Sequence, residues 1–351
     1  MIFARTRGWI GIDLGTHAVK LAQVERRGGR LQLVDAIAIR RSEAWPAGDE
    51  EPLSSSNEIR AALSLGGNFA GRDAAVTLPM AVCDVRACTI PAAADADTKR
   101  AILHELDTVY GDTEATRDYD FWTTSAADDE ETQNAIAMSI PSFWTSRVAR
   151  DLTESRLIGN VLDGLPLAMA RAVTLGTANS SSAQTAGPVA ALDWGYHRAT
   201  LCTVEGGRPR FVRTLRNAGF ESIVTAVRQR LEVTAEEAQK LLWEHGLPSK
   251  ATGAGSELQE VLEEVTHDAM GSFLDELSKT IGFLQGQRRE LAPHRLILFG
   301  GGATVRNIAE FLAERVELPA ETWRLGGTEP QVPAALLGPA IALSSLAWSA
   351  G

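Results

Sequence analysis

Residues 11–25 read Gly-Ile-Asp-Leu-Gly-Thr-His-Ala-Val-Lys-Leu-Ala-Gln-Val-Glu, and residues 191–205 read Ala-Leu-Asp-Trp-Gly-Tyr-His-Arg-Ala-Thr-Leu-Cys-Thr-Val-Glu. Aligned without a gap, Asp13 meets Asp193, Gly15 meets Gly195, His17 meets His197, Leu21 meets Leu201, Val24 meets Val204 and Glu25 meets Glu205. Each copy continues through a glycine pair, Gly28-Gly29 or Gly206-Gly207, into a further apolar stretch. An apolar run, Asp-x-Gly, an apolar-polar run and a glycine turn predict consecutive strands joined by tight hairpins. Their occurrence twice predicts two similar half-molecules, each presenting an acidic glycine turn toward a shared cleft.

Working outward from the first copy, a surface loop runs through Trp45 to Ser56, and Ser56 or Asn57 caps a short helix reaching Leu65. Residues 74–79 read as a buried strand. The block at 80–158 then reads as strand (Val82–Pro91), helix (Ala94–Tyr110, with Ile102, Leu103, Leu106 and Val109 at helical spacing), two strands (Tyr119–Ser125 and Asn134–Ile140) and helix (Pro141–Leu157). The acidic run Asp128-Asp129-Glu130-Glu131 is a solvated loop between those strands. This order is that of a small inserted α+β subdomain. Val161–Asp163 returns to a strand and Pro166–Leu175 to a helix, before a small, polar linker at 177–187.

After the second copy come a helix from Phe220 to Leu231 and another opened by a capping box, Thr234 with Glu237. A long amphipathic helix follows at 256–288, with a buried stripe of Leu258, Val261, Leu262, Val265, Phe273, Leu277, Ile281 and Leu284. The stretch from Arg295 is a buried strand breaking into Gly300-Gly301-Gly302, with Val305–Val316 helical after it. The apolar segment Pro333–Trp348 is shorter than the ~20 residues a membrane span needs. Gly338-Pro339 interrupts it, so it reads as a buried terminal helix. The expected units are a first lobe (1–79 with 159–180 and the terminal helix 333–351), an inserted subdomain (80–158) and a second lobe (188–332). Residues 220–290 form a mostly helical part of the second lobe.

A chain of 351 residues is long for one core, in keeping with two lobes or more. A net charge of −11 argues against nucleic-acid binding and against a polybasic membrane anchor. The three cysteines, Cys83, Cys88 and Cys202, form no CxxC and suit a reducing compartment. The N-terminus lacks the apolar core of a signal peptide, so a cytoplasmic location is expected.

Several segments in order carry a family resemblance: Gly11 to Leu21, Val161-Leu-Asp-Gly-Leu-Pro-Leu-Ala-Met-Ala-Arg-Ala, Ala235-Glu-Glu-Ala, Leu298-Phe-Gly-Gly-Gly-Ala-Thr, and Ile308-Ala-Glu-Phe-Leu. The set resembles the PilM-like family of type IV pilus assembly, within the actin-like superfamily of FtsA and MreB. The resemblance implies an α/β fold of two duplicated ribonuclease-H-like domains with an inserted FtsA-type α+β subdomain. It also implies ATP with Mg as cofactor. Asp13, Gly15, Thr16, His17 and Lys20 would face the phosphates from the first lobe, and Asp193 and Gly195 from the second. Gly300, Gly301, Gly302 and Ala303 would lie against the adenosine. Asp13 and Asp193 would hold Mg²⁺ through water, since magnesium keeps much of its hydration shell.

The chain departs from the family pattern at several of these places. Leu165 stands where relatives carry a glutamate before the proline, a residue associated in bacterial actins with positioning the attacking water. Tyr196 and His197 replace small hydroxyl residues in the second hairpin. Gln239 and Leu242 replace the Glu and Lys that meet the ribose. These departures predict a weakened nucleotide pocket.

Function follows as an expectation: a cytoplasmic scaffold of type IV pilus or related secretion assembly. It would be recruited to the inner membrane through the cytoplasmic tail of a membrane partner. The tail would dock between the first lobe and the inserted subdomain, beside Cys83–Ile90. An active ATPase or small-molecule kinase is the alternative, with Asp163 as substitute carboxylate. Direct membrane attachment is disfavoured because no basic amphipathic helix closes the chain, and self-association is left open. Individual residues keep more than one reading. Asp13 and Asp193 either hold Mg²⁺ or cap their own turns. Lys20 reaches phosphate or is an exposed strand lysine. His17 and His197 join the aspartates in a metal site, bind phosphate, or are exposed loop residues. The glycine run is an adenosine platform or a turn required by packing.

Overall fold

The structure, a computed structural model, describes residues 6–45, 53–91, 95–126, 132–178, 187–215, 217–249, 256–325 and 332–348. The acidic run at 128–131, the loop at 46–52, most of the linker expected at 177–187 and residues 349–351 lie outside them.

The first copy folds as β1 (Ile10–Leu14), β2 (Ala18–Arg27) and β3 (Arg30–Arg40), followed by α1 (Ser56–Gly66) and β4 (Asp73–Thr77). Then come β5 (Asp84–Pro91), α2 (Asp95–Tyr110), α3 (Thr113–Thr116), β6 (Arg117–Ala126), β7 (Thr132–Pro141) and α4 (Ser142–Glu154). The chain returns through β8 (Ile158–Asp163) and α5 (Leu165–Ala178). The second copy folds as β9 (Val189–Trp194), β10 (Ala199–Glu205) and β11 (Arg208–Leu215). After it stand α6 (Glu221–Leu231), α7 (Ala235–Glu244), α8 (Glu257–Gln287), β12 (Leu296–Phe299), α9 (Ile308–Val316), β13 (Ala320–Thr322) and α10 (Ala334–Ser344).

The strands form two five-stranded sheets, ordered β3-β2-β1-β4-β8 and β11-β10-β9-β12-β13. The two orders correspond strand for strand. In each, the hairpin strands are antiparallel and the last two strands join in parallel. The duplicated letters are therefore a duplicated α/β sheet. Both hairpins turn on residues with positive φ, 56° and 80° at Gly28-Gly29 and 58° and 74° at Gly206-Gly207. Two successive positive φ values match the strands' right-handed twist, which is why both copies need glycine there.

A third sheet, β5-β7-β6, is antiparallel and packs α2 through Cys88, Ile90, Ile102, Leu106, Ala135 and Ala137. Val109, expected on that stripe, is instead 48% exposed. Tyr110 packs against this core at the last turn, its ring beneath the guanidinium groups of Arg86 and Arg117. At α1 the expected Ser56 or Asn57 cap is absent. The N-cap is Ser55 without a side-chain cap bond, and its hydroxyl accepts from Arg41 at 2.9 Å. The capping box at Thr234 forms as expected. The stripe of α8 runs through Leu262, Met270, Phe273, Leu277, Ile281 and Leu284, and Leu258, Val261 and Val265 are only partly buried.

Helix α10 packs against β1, β2 and α5. Pro339 lies inside it and does not break it. Proline leaves the carbonyl four residues back without its helical donor. Here that carbonyl, of Ala335, accepts from the Gly300 N–H at 3.1 Å, so the glycine turn satisfies the defect. No helix among the described residues is long and apolar enough to cross a membrane.

Candidate functional site

The two Asp-x-Gly turns meet at a cavity of about 270 Å³. The first hairpin contributes Asp13, Gly15, Thr16, His17 and Lys20, and the second contributes Asp193, Gly195, Tyr196, His197 and Arg198. All seven residues expected from the two hairpins thus line one space. The four expected from the glycine run do not. Only Gly301 reaches the cavity, joined by Thr304. Gly300 has φ +85°, and a Cβ there would strike the Asp193 carboxylate and the Trp194 carbonyl. A Cβ on Gly302 would enter the Trp194 indole, and Ala303 is buried. Those small residues are required by packing, which corrects the expectation of a platform built from all four.

Strand register explains the charges. Asp13 lies directly across from Lys20, and Asp193 directly across from Thr200. Cross-strand neighbours have Cβ atoms about 5 Å apart, so the Lys20 Nζ donates to Asp13 Oδ2 at 2.7 Å. Burial works against the Lys20 ammonium, but the Asp13 and Asp193 carboxylates outweigh it and hold its pKa above the usual lysine value. Burial pushes Asp193 up to about 6, with Lys20 opposing and Asp13 adding to the rise. Lys20 is therefore not an exposed strand lysine; it is the counter-ion of Asp13, with Asp193 adding to the field that keeps it charged.

His17 and His197 line the same cavity but take different partners. The His17 ring stacks on Tyr196 with centroids 3.8 Å apart and planes 11° apart. His197 instead places Nδ1 2.8 Å from Glu221 Oε2. Among the described residues no three His, Cys, Asp or Glu side chains converge on a metal-sized space, so the expected four-residue metal site does not form. Burial, then Arg40, His197 and Lys20, lower the His17 pKa to about 4, and Nε2 is buried without a hydrogen-bond partner among the described residues.

Those values set opposite pH dependences. His17 contributes fully above pH 6.5, and its contribution is lost as pH falls toward 4, because the unfolded chain takes the proton first. Asp193 adds stability as pH falls from about 6 toward 3.8, because the folded chain then holds a proton that the unfolded chain does not. Relative to the wild type, His17→Phe is expected to gain stability on acidification from pH 6.5 to 4.5, and Asp193→Asn to lose it. Urea midpoints across this window check both, and three parallel profiles would refute the assignment.

Comparison with known proteins fits this geometry. A family model described as type IV pilus assembly protein PilM matches residues 11–324. The chain belongs to the PilM family. Its structure matches a chain of a PilM-PilN type IV pilus biogenesis complex with TM-score 0.74 and 18% identity over 97% of each chain. It also matches ethanolamine utilization protein EutJ from Carboxydothermus hydrogenoformans, with TM-score 0.55 and 10% identity over 97% of this chain and 90% of the other. No curated protein matches the sequence. The duplicated sheets are thus the actin-like α/β fold.

In this member of the PilM family, several groups at the cleft already have partners within the chain. The Asp13 carboxylate is committed to Lys20. His17 and Tyr196 stack on each other between the two turns. Leu165 is buried in the cavity wall, and Leu242 is buried in the core while Gln239 reaches the cavity. Asp163, the substitute carboxylate of the enzyme reading, does not line the cavity. It is held by Arg171 at 2.7 Å and accepts from the Gly164 N–H at 3.0 Å. Burial nevertheless raises its pKa, against both of those contacts.

Three residues at the site escape sequence reading. Arg40, at the end of β3, pairs with Glu236 of α7 across the cleft. Arg41 is buried, stacks 4.0 Å over Trp45 and donates from Nε to the Gly15 carbonyl at 2.8 Å, bracing the first turn. Neither arginine has a counterpart in the repeat that would single it out. For Glu236 the acidic first turn of α7 was visible, but its partner was not.

Proposed function

We propose that this chain is an adaptor of type IV pilus or related secretion assembly, holding the cytoplasmic tail of an inner-membrane partner, with a degenerate ATP site. In this reading residues 1–79, 159–180 and 333–351 act as one lobe, 80–158 as the inserted docking subdomain and 188–332 as the second lobe. The partner, rather than a helix of its own, brings the protein to the membrane.

Family membership carries the assembly role. The PilM-PilN complex whose chain has the same fold supports a tail-binding partner. Two edge strands support the docking surface. β5 ends the three-stranded sheet and β8 ends the first five-stranded sheet, each leaving main-chain groups on one side without a strand among the described residues. On β8, Ile158 and Leu162 stand on either side of a bulge and are 50% and 39% exposed. Apolar side chains beside an open edge suit an extended peptide, whose backbone pairs with the strand while its side chains enter pockets.

The test is fluorescence titration of a labelled PilN-type cytoplasmic tail peptide from the same organism. Saturable binding is expected, weakened about tenfold or more by Leu162→Glu, an effect of ~1.4 kcal/mol. Binding that is equally strong in Leu162→Glu and in Thr89→Pro on β5 would remove this surface from consideration.

A further inference from the structure

We infer that Lys20 is a built-in cation, its ammonium occupying the place that a divalent ion would need in order to bridge the two acidic turns. The duplication shows why one is required. Asp13 and Asp193 hold the same position in the two hairpins, and both line the one cavity. Each faces a cross-strand partner, Lys20 for Asp13 but Thr200 for Asp193. Thr200 is buried and carries no charge, so the position across from Asp193 offers no cation as Lys20 does across from Asp13, and Arg198 lines the cavity from the same turn.

Two carboxylates drawn from opposite halves of the molecule therefore share a single ammonium. The Lys20 side chain is 12% exposed, with Nζ 2.7 Å from Asp13 Oδ2. A Cβ at Gly15 would strike the Ala18 carbonyl at 2.8 Å and come within 3.3 Å of that nitrogen, so the turn that requires glycine also leaves room for the ammonium. Around this centre the halves are joined by other contacts of the chain itself, His17 on Tyr196 and Arg40 with Glu236. Isolated buried carboxylates are costly to ionise, and here the chain supplies the compensating charge. A divalent ion would have to expel Lys20 to reach the same oxygens.

The probe is Mn²⁺ itself, followed by electron paramagnetic resonance with the full-length, nucleotide-stripped protein. The wild type is expected to leave Mn²⁺ free. Lys20→Met is expected to gain one site, with an affinity at least about tenfold above the wild type, and Lys20→Met/Asp13→Asn to lose it again. A wild-type Mn²⁺ site abolished by Asp13→Asn overturns the inference, and so does a folded Lys20→Met protein that binds no better than wild type. Should Lys20→Met fail to fold, the wild-type ammonium still reports by nitrogen-15 NMR. A slowly exchanging Lys20 Nζ resonance that moves in Asp193→Asn supports the shared cation. A rapidly exchanging resonance blind to that change refutes it.

Discussion

Trp194→Ala is expected to lower the unfolding free energy by about 3–5 kcal/mol, the range for removing a buried aromatic side chain. Trp194 ends β9 and is 1% exposed. Its indole stacks on Phe273 of α8, with centroids 4.0 Å apart, and meets the edge of Phe220 at 5.8 Å. Its N–H donates to the Ala218 carbonyl at 2.9 Å. Gly302 lies so close to the ring that no side chain fits between them. Truncation would open a cavity under the second acidic turn, walled by elements that cannot collapse without moving α8 or the glycine turn. Trp194→Phe keeps a ring and gives up mainly the hydrogen bond, worth about 1 kcal/mol. Urea titration with unchanged m-values is the measurement. Equal midpoints for Trp194→Ala and wild type would mean that the stack does not carry the packing assigned to it.

The second large effect is expected at Asp151, on α4, which is 1% exposed. Its carboxylate accepts from the Ser55 N–H at 2.8 Å, the Ser54 hydroxyl at 2.8 Å and the Arg147 guanidinium at 3.0 Å. It thereby ties the segment before α1 to the helix that leads into β8. Ser55 in turn accepts from Arg41, which braces Gly15, so the network ends at the first acidic turn. Asp151→Ala removes the acceptor of the Ser55 N–H and the Ser54 hydroxyl and breaks the Arg147 pair. Breaking one side of a buried pair costs about 3–5 kcal/mol. Asp151→Asn keeps one acceptor oxygen and is expected to lose less. The loss should change little between low and high salt, because the pair is shielded from solvent ions. A loss that disappears in high salt would assign the stabilisation to long-range surface charge instead.

Much of the fold was legible because its determinants are local. The Gly-Gly turns declare themselves through conformations that only glycine adopts freely, and the capping box at Thr234 needs just four residues. The long helix α8 shows its period along its own sequence. Misreadings arose where a distant group intervened. Ser55 gives its hydroxyl to Arg41 and so does not cap α1, and Pro339 sits within α10 because Gly300 donates to the carbonyl it leaves open. The glycine run looked like a ligand platform, yet two of its three members are small because Asp193 and Trp194 press against them.

At the candidate site the same division holds. By itself the sequence determined that two acidic hairpins exist and that they are copies. Such features are written in single letters and short spacings, and the turn chemistry acts within a few residues. Only the tertiary structure decided who meets whom: His17 with Tyr196 and Arg40 with Glu236. Those partners come from strands and helices more than a hundred residues apart. Their encounter depends on how two sheets are set against each other by α10 and the core, and no local pattern along the chain carries that information.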